Sequence, residues 1–290
     1  MKKKIIALSG CLIFLVFEMF LTIFSGNCII YAKNVNDLIV QGADLHYQGK
    51  LDGAVSKFKK AISLAPENEF AHNQLGILYA KKGNFTKAFK EFSYVKKIDP
   101  QNTFALLWTG ICYLNWNKMN QAFNTFNNII KIDPDNADAL YFIGTIYNFR
   151  RNQTMAIEYL KKARDANSND ADTHFRLARA FHNLDMTANA LLEYNKSISI
   201  NPTHTKAVNE IGWLYYNQGN IENAINQWKK TLTIKKKDAA ATLNLAKAYN
   251  CIAYNALTAR KKQDALKYWK KTLAINPNNK TAKYYYDRYR

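Results

Sequence analysis

The chain is predicted to be an all-α solenoid of antiparallel helix pairs behind a hydrophobic leader helix. Three observations carry this. The only prolines, Pro66, Pro100, Pro134, Pro202 and Pro277, lie on one ruler, with gaps of 34, 34, 68 and 75 residues. The 68 is twice 34, and the 75 is twice 34 plus 7. Small residues share the period: Gly42, Gly76, Gly110, Gly144 and Gly212 hold one phase, and Ala54, Ala88, Ala122, Ala156, Ala190 and Ala224 another. A bulky residue follows each alanine four places later (Phe58, Phe92, Phe126, Leu160, Tyr194, Trp228), and Tyr79, Tyr113, Tyr147, Phe181, Tyr215 and Tyr249 hold a further phase. A chain that repeats its helix breakers and its small residues at one period is an array of like units, each too small to bury its apolar face alone.

The elements follow in chain order. Residues 1–34 are foreign to the repeats and form the leader. Lys2, Lys3 and Lys4 precede the apolar run Ile5–Phe17, and after Glu18 a second run extends from Met19 to Ala32. A basic start before an apolar stretch directs export. The segment is long enough to span a bilayer, although a charge such as Glu18 at mid-membrane costs about 2.5–3.5 kcal/mol. Three readings stay open: a signal cleaved after Ala32, a retained membrane anchor, or a lipid on Cys11, where Leu8-Ser9-Gly10-Cys11 is similar to a bacterial lipoprotein box. Each puts the repeats outside the cytoplasm, at the periplasmic or extracytoplasmic face of a membrane and most simply in a bacterial envelope.

Seven repeats are expected at 35–68, 69–102, 103–136, 137–170, 171–204, 205–238 and 239–279. In the second, helix A is predicted over Phe70–Lys81 and helix B over Thr86–Ile98, joined by a turn at Gly83-Asn84. Leu75, Leu78 and Tyr79 on one helix and Ala88, Phe92 and Val95 on the other keep helical spacing. Asp99-Pro100 ends helix B, because proline lacks an N–H and disfavours helix in the residue before it. The seventh repeat is longer by seven residues. Ala240–Ala259 contains neither proline nor glycine, so a longer helix A, by roughly 10 Å, is preferred over a longer loop at 260–263. Residues 280–290 are expected to cap the array, with Ala282, Tyr285, Tyr286 and Tyr289 turned inward.

On these residues the chain resembles the tetratricopeptide repeat (TPR) family. The second repeat carries the motif as Leu75-Gly76, Tyr79, Gly83, Ala88, Phe92 and Pro100. Departures are Ala178 for glycine in repeat five, Ser168 before it, and Lys236 in place of proline in repeat six. The resemblance implies a right-handed superhelix whose helices A line a concave face and whose helices B lie outside. It further implies a protein-binding scaffold. By register the groove candidates are Phe70, Asn73, Ile77, Phe104, Leu107, Ile111, Tyr141, Asn148, Phe175, Asn209, Trp213 and Tyr216. Aromatics supply contact area and amides pair with a peptide backbone. The family's lysine–asparagine–arginine clamp for a terminal carboxylate is not matched in repeats one to three.

Net charge is +19. The leader contributes +2 of it, so +17 falls on the repeats. Lysine pairs such as Lys59-Lys60, Lys96-Lys97, Lys161-Lys162, Lys229-Lys230 and Lys270-Lys271 fall late in helices B and read as a solvated outer face. Lys235, Lys236 and Lys237 are the candidate contact for the alternative function, an adaptor for an anionic surface such as lipid headgroups, cell-wall polymer or nucleic acid. Nucleic acid is not the expected partner.

No catalytic residues, cofactor or metal are expected. No glycine-rich phosphate loop, nucleophile elbow or metalloprotease helix is present. His174 and His182, eight apart, lack a third ligand. Cys112 and Cys251 are too far apart in an array to pair and read as small apolar residues.

Overall fold

A computed structural model describes residues 34–290; the leader readings, including Cys11, Glu18 and Ala32, lie outside the described residues. The described residues form fifteen helices and no strand. They divide into two compact units that meet in sequence at Pro134/Asp135. The first contains α1 (34–47), α2 (Leu51–Leu64), α3 (Glu69–Lys81), α4 (Phe85–Ile98), α5 (Thr103–Asn115) and α6 (Met119–Ile132). The second contains α7 (Ala137–Phe149), α8 (Gln153–Ala166), α9 (Ala171–His182), α10 (Thr187–Ile200), α11 (Thr205–Asn217), α12 (Ile221–Ile234), α13 (Ala239–Thr258), α14 (Lys262–Ile275) and α15 (Lys280–Tyr289). Within each unit, helices pack pairwise on their sequence neighbours, which makes each an α-solenoid segment.

Cap residues set the register. Asn68, Asn102, Asn136, Asp170, His204 and Asp238 recur every 34 residues, and Asn279 follows 41 later; the side chain of each accepts the N–H three residues on. These caps satisfy donors that a helix start leaves free. His204 does so through Nδ1, 3.1 Å from the Ala207 nitrogen. Each proline stands two residues before such a cap. Repeat six, without its proline, still ends helix B at Ile234 because Asp238 caps the next helix.

The turn inside each pair also keeps register. Gly49, Gly83, Asn117, Arg151, Asp185, Gly219 and Arg260 all have positive φ, between 56° and 78°. The last interval is 41 residues, so the seven extra residues precede that turn. They lengthen helix A: α13 has 20 residues where α11 has 13.

The core is the interleaving of the small and bulky phases. Phe58, Phe92, Phe126, Leu160, Tyr194 and Trp228 are all fully buried. In five repeats the helix A glycine lies against the bulky residue 16 positions later, as Gly76 lies against Phe92 and Gly212 against Trp228. At the C-terminal end Ala282 is buried, and Tyr285 and Tyr289 stack on Trp269 at 5.2 and 6.1 Å.

Candidate functional site

In the first unit the helix A residues α3 and α5 present Phe70 and Phe104, which are 51% and 39% exposed. Phe104 leans edge-on to Phe92 and lies 6.4 Å from Trp108. Asn73, Ile77, Leu107 and Ile111 are half-buried between them. The Asn73 Oδ1 is buried without a hydrogen-bond partner. This is an apolar strip with one unsatisfied amide.

In the second unit the corresponding face is uneven. Phe175 is only 5% exposed and packs on Tyr194 and His204, at 5.8 and 4.8 Å. It is therefore a core residue and not a groove residue: the imidazole that caps α11 covers it. Asn209 is half-committed, since its Nδ2 donates to Asp238 Oδ1 at 3.4 Å while its Oδ1 stays buried and unpartnered. The Tyr141 hydroxyl accepts from Arg176 Nε at 3.4 Å, and Asn148 Oδ1 accepts from Asn183 Nδ2 at 3.3 Å.

Trp213 lines a cavity of this unit, and Tyr216 packs beside it. Trp213, Leu243, Asn244, Lys247, Asn250, Cys251, Tyr254, Asn255 and Asn279 line a cavity of about 590 Å³. Trp213 packs edge-on against the buried Trp228 at 5.7 Å and Tyr216 at 5.5 Å. Lys247 Nζ lies 4.6 Å from the Trp213 ring and 5.3 Å from that of Tyr216, a double cation–π contact. Burial, followed by the neighbouring Cys251, pushes the Tyr216 phenol up. Thr272 Oγ1 donates to Asn250 Oδ1 at 3.2 Å, tying α13 to α14 beneath the cavity.

The α13 residues were not among the sequence candidates, although the period reaches them. Adding 34 to Asn209, Trp213 and Tyr216 gives Leu243, Lys247 and Asn250. The lower part of the cavity, Tyr254 and Asn255, lies on the added length of α13, where the period no longer applies.

Lys235, Lys236 and Lys237 are exposed at the α12–α13 turn, and Lys235 pairs with Asp238 at 3.4 Å. The outer lysines are less uniform than a solvated face. Lys96 is half-buried, which lowers its pKa, and Lys271 Nζ sits 4.6 Å from the Tyr268 ring. The two histidines of α9 diverge: His174 is buried against Glu193 and His182 faces Glu210. Among the described residues no group of three or more His, Cys, Asp or Glu is arranged to hold a metal ion. Nor, among them, is any helix long and apolar enough to cross a membrane.

Paired helices stacked at a 34-residue period, with glycine against a buried ring and a small capped turn, define a helical-hairpin repeat protein. Family models for the TPR repeat match residues 42–83, and tetratricopeptide repeat models match 104–136, 137–170 and 171–204. The chain belongs to the tetratricopeptide repeat family. Among solved structures, the C-terminal part of a TPR repeat-containing protein from Cytophaga hutchinsonii is 18% identical, with a TM-score of 0.64 over 84% of this chain and 97% of its own. MamA is 28% identical, with a TM-score of 0.50 over 56% of this chain and 95% of its own. YrrB, described as "a TPR protein with an unusual peptide-binding site", is 22% identical, with a TM-score of 0.50 over 63% and 95%. A search of curated proteins found no significant match. The neighbours share the fold, and the tetratricopeptide repeat architecture supports a protein-interaction scaffold.

Proposed function

We propose that the protein is a non-catalytic scaffold of the cell envelope that seats an extended segment of a partner protein on its helix A surface. The observation that carries this is the cavity between α11 and α13. It combines a tryptophan packed on two neighbouring rings, an adjoining leucine and four asparagines; Asn250 and Asn279 bond within the protein, and amides such as those of Asn244 and Asn255 pair with the N–H and C=O groups of an incoming backbone. Its volume falls in the range of ligand-binding clefts, about 300–1,000 Å³. The Phe70–Phe104 strip is a separate apolar surface of the first unit. YrrB carries a peptide-binding site on the same fold. The envelope location is supported by the basic and apolar leader, which also offers membrane association.

Site-specific photocrosslinking in the native cell tests the seat. A photoreactive residue at Leu243 is expected to give a discrete adduct, and the same residue at the exposed Lys60 of α2 is not. Trp213→Ala should remove the Leu243 adduct without loss of helical content. Equal labelling from both positions, or an adduct indifferent to Trp213→Ala, counts against the proposal. Protease access in intact and permeabilised cells, read by mass spectrometry of the N-terminus, tests the location.

A further inference from the structure

The chain uses lysine for most of its positive charge. Its arginines are Arg150, Arg151, Arg164, Arg176, Arg179, Arg260, Arg288 and Arg290, so every arginine before residue 260 falls between 150 and 179. Three of them, Arg151, Arg176 and Arg179, line one cavity of about 260 Å³ between the C-terminal halves of α7 and α9, together with Thr145, Asn148, Phe149, Gln153 and Asn183. Arg164 shows what a structural arginine looks like here: it pairs with Asp165 at 2.9 Å and Glu193 at 3.1 Å. None of the three cavity arginines has a carboxylate within 4.0 Å among the described residues. Arg176 reaches only the Tyr141 hydroxyl, and Arg179 lies over the Phe175 ring at 6.0 Å.

The rest of the lining also carries polar atoms without partners. Thr145 Oγ1 is buried and makes no hydrogen bond, so its O–H is an unused donor. The amide of Asn148 has its oxygen engaged by Asn183, which leaves its nitrogen as a donor. Gln153 Oε1 is also buried without a partner, an acceptor that the donors around it outnumber. Three guanidinium forks, a hydroxyl and amides around one cavity make an excess of donors over acceptors. A guanidinium fork matches a carboxylate or phosphoryl group with two parallel hydrogen bonds, which an ammonium does not.

We propose that this cavity binds an oxyanion, a side-chain carboxylate or a phosphoryl group, carried by the partner segment. This rests on the reading of the helix A surface as the seat of such a segment. It adds a charge requirement and a position. The opposite ends of α7 and α9 bear Asp138, Asp170 and Asp172 around a separate cavity. Burial, then the nearby Asp170, raises the Asp138 pKa. That end repels an anion; Asp138 and Asn148 stand about 15 Å apart along α7, while on α9 Asp172 lies about one turn from Arg176 and two from Arg179. An acidic group on the segment is therefore confined to the arginine end.

Fluorescence anisotropy with labelled, C-terminally amidated decapeptides tests this on the full chain. Three peptides share one Gly/Ser/Leu background and differ only in a central Glu-Glu, phosphoserine or Lys-Lys. The anionic peptides are expected to bind at least tenfold more tightly than the Lys-Lys peptide and to be displaced by inorganic phosphate. A phosphoserine peptide tenfold tighter than Glu-Glu assigns the phosphoryl source; parity or the reverse assigns the carboxylate. R176Q/R179Q should weaken anionic binding at least tenfold. R176K/R179K, which keeps charge and fold but loses the forks, should weaken it by at least threefold. Neutralising Lys235, Lys236 and Lys237 to glutamine should change it less than twofold. Equal binding of all three peptides, binding of none, arginine variants within twofold of wild type, or a loss on lysine neutralisation as large as R176Q/R179Q overturns the inference. If photocrosslinking at Leu243 persists in that event, the seat survives without its anion site; if both are lost, both readings fall.

Discussion

A Cβ placed on Gly76 would lie 2.5 Å from Cζ of Phe92, closer than real side-chain carbons approach. Phe92 is fully buried and stacked on Trp108 at 5.6 Å, with Phe104 at its edge. The packing on both sides opposes withdrawal of the ring, so the glycine lets α3 and α4 approach this closely.

Gly76→Ala should therefore destabilise the first unit by about 1–3 kcal/mol, the usual cost of overpacking. Gly83 is the control. It has φ +75° and open space around the same position, so Gly83→Ala should cost only about 1 kcal/mol through backbone strain. Urea denaturation of both variants checks the order; equal losses would show that the close approach at Gly76 is relaxed elsewhere.

His72 predicts a pH dependence. Its Nδ1 lies 2.7 Å from Glu91 Oε2 and its Nε2 lies 2.9 Å from the Pro66 carbonyl, so both nitrogens face acceptors and the doubly protonated ring fits. Burial acts to lower its pKa, but the hydrogen bonds to Glu91 and to the Pro66 carbonyl, with the Glu91 charge, outweigh it and the net shift is upward. The folded value thus exceeds the unfolded one. Its stabilising contribution is fully present below about pH 6.5 and is lost as pH rises through the folded value. Thermal melts across pH 5.5–8.5 should show that loss in wild type and a flatter profile in His72→Gln. The same slope in both would remove His72 as its source.

The two described cysteines should differ in reactivity. Cys112 is fully buried, and burial pushes its thiol up to about 11, so little thiolate forms near neutrality. Cys251 lines the α11–α13 cavity and is half-exposed. Brief iodoacetamide treatment followed by peptide mapping should find Cys251 modified and Cys112 spared until the chain is unfolded. A captured segment should slow the labelling of Cys251.

Trp213→Ala is expected to weaken capture of a partner segment by about 30-fold, near 2 kcal/mol, as for an aromatic anchor at an interface centre. Leu192→Ala, on α10 at 68% exposure, should leave affinity within twofold. Titration of both variants against a crosslinked and sequenced segment measures this.

Much of the architecture was legible because proline, glycine and alanine act through backbone geometry that any neighbour sees. The 34-residue ruler marked the helix starts, the turns and the buried rings, and the absence of breakers in Ala240–Ala259 foretold the long α13. The candidate surface was less legible. Phe175 shares its phase with Asn209 and Tyr141, yet His204, while capping α11, also lies against it and buries it. Tyr254 and Asn255 escaped the register because the added residues of α13 shift everything after them.

By itself, the sequence determined which residues break, cap and close each helix pair, since those roles depend on local sterics and hydrogen bonding. Only the tertiary structure decided which helix A side chains remain free. That outcome depends on what the next repeat lays over them: at Phe175 a histidine, at Trp213 a lysine and a cavity, and around Arg176 more donors than acceptors.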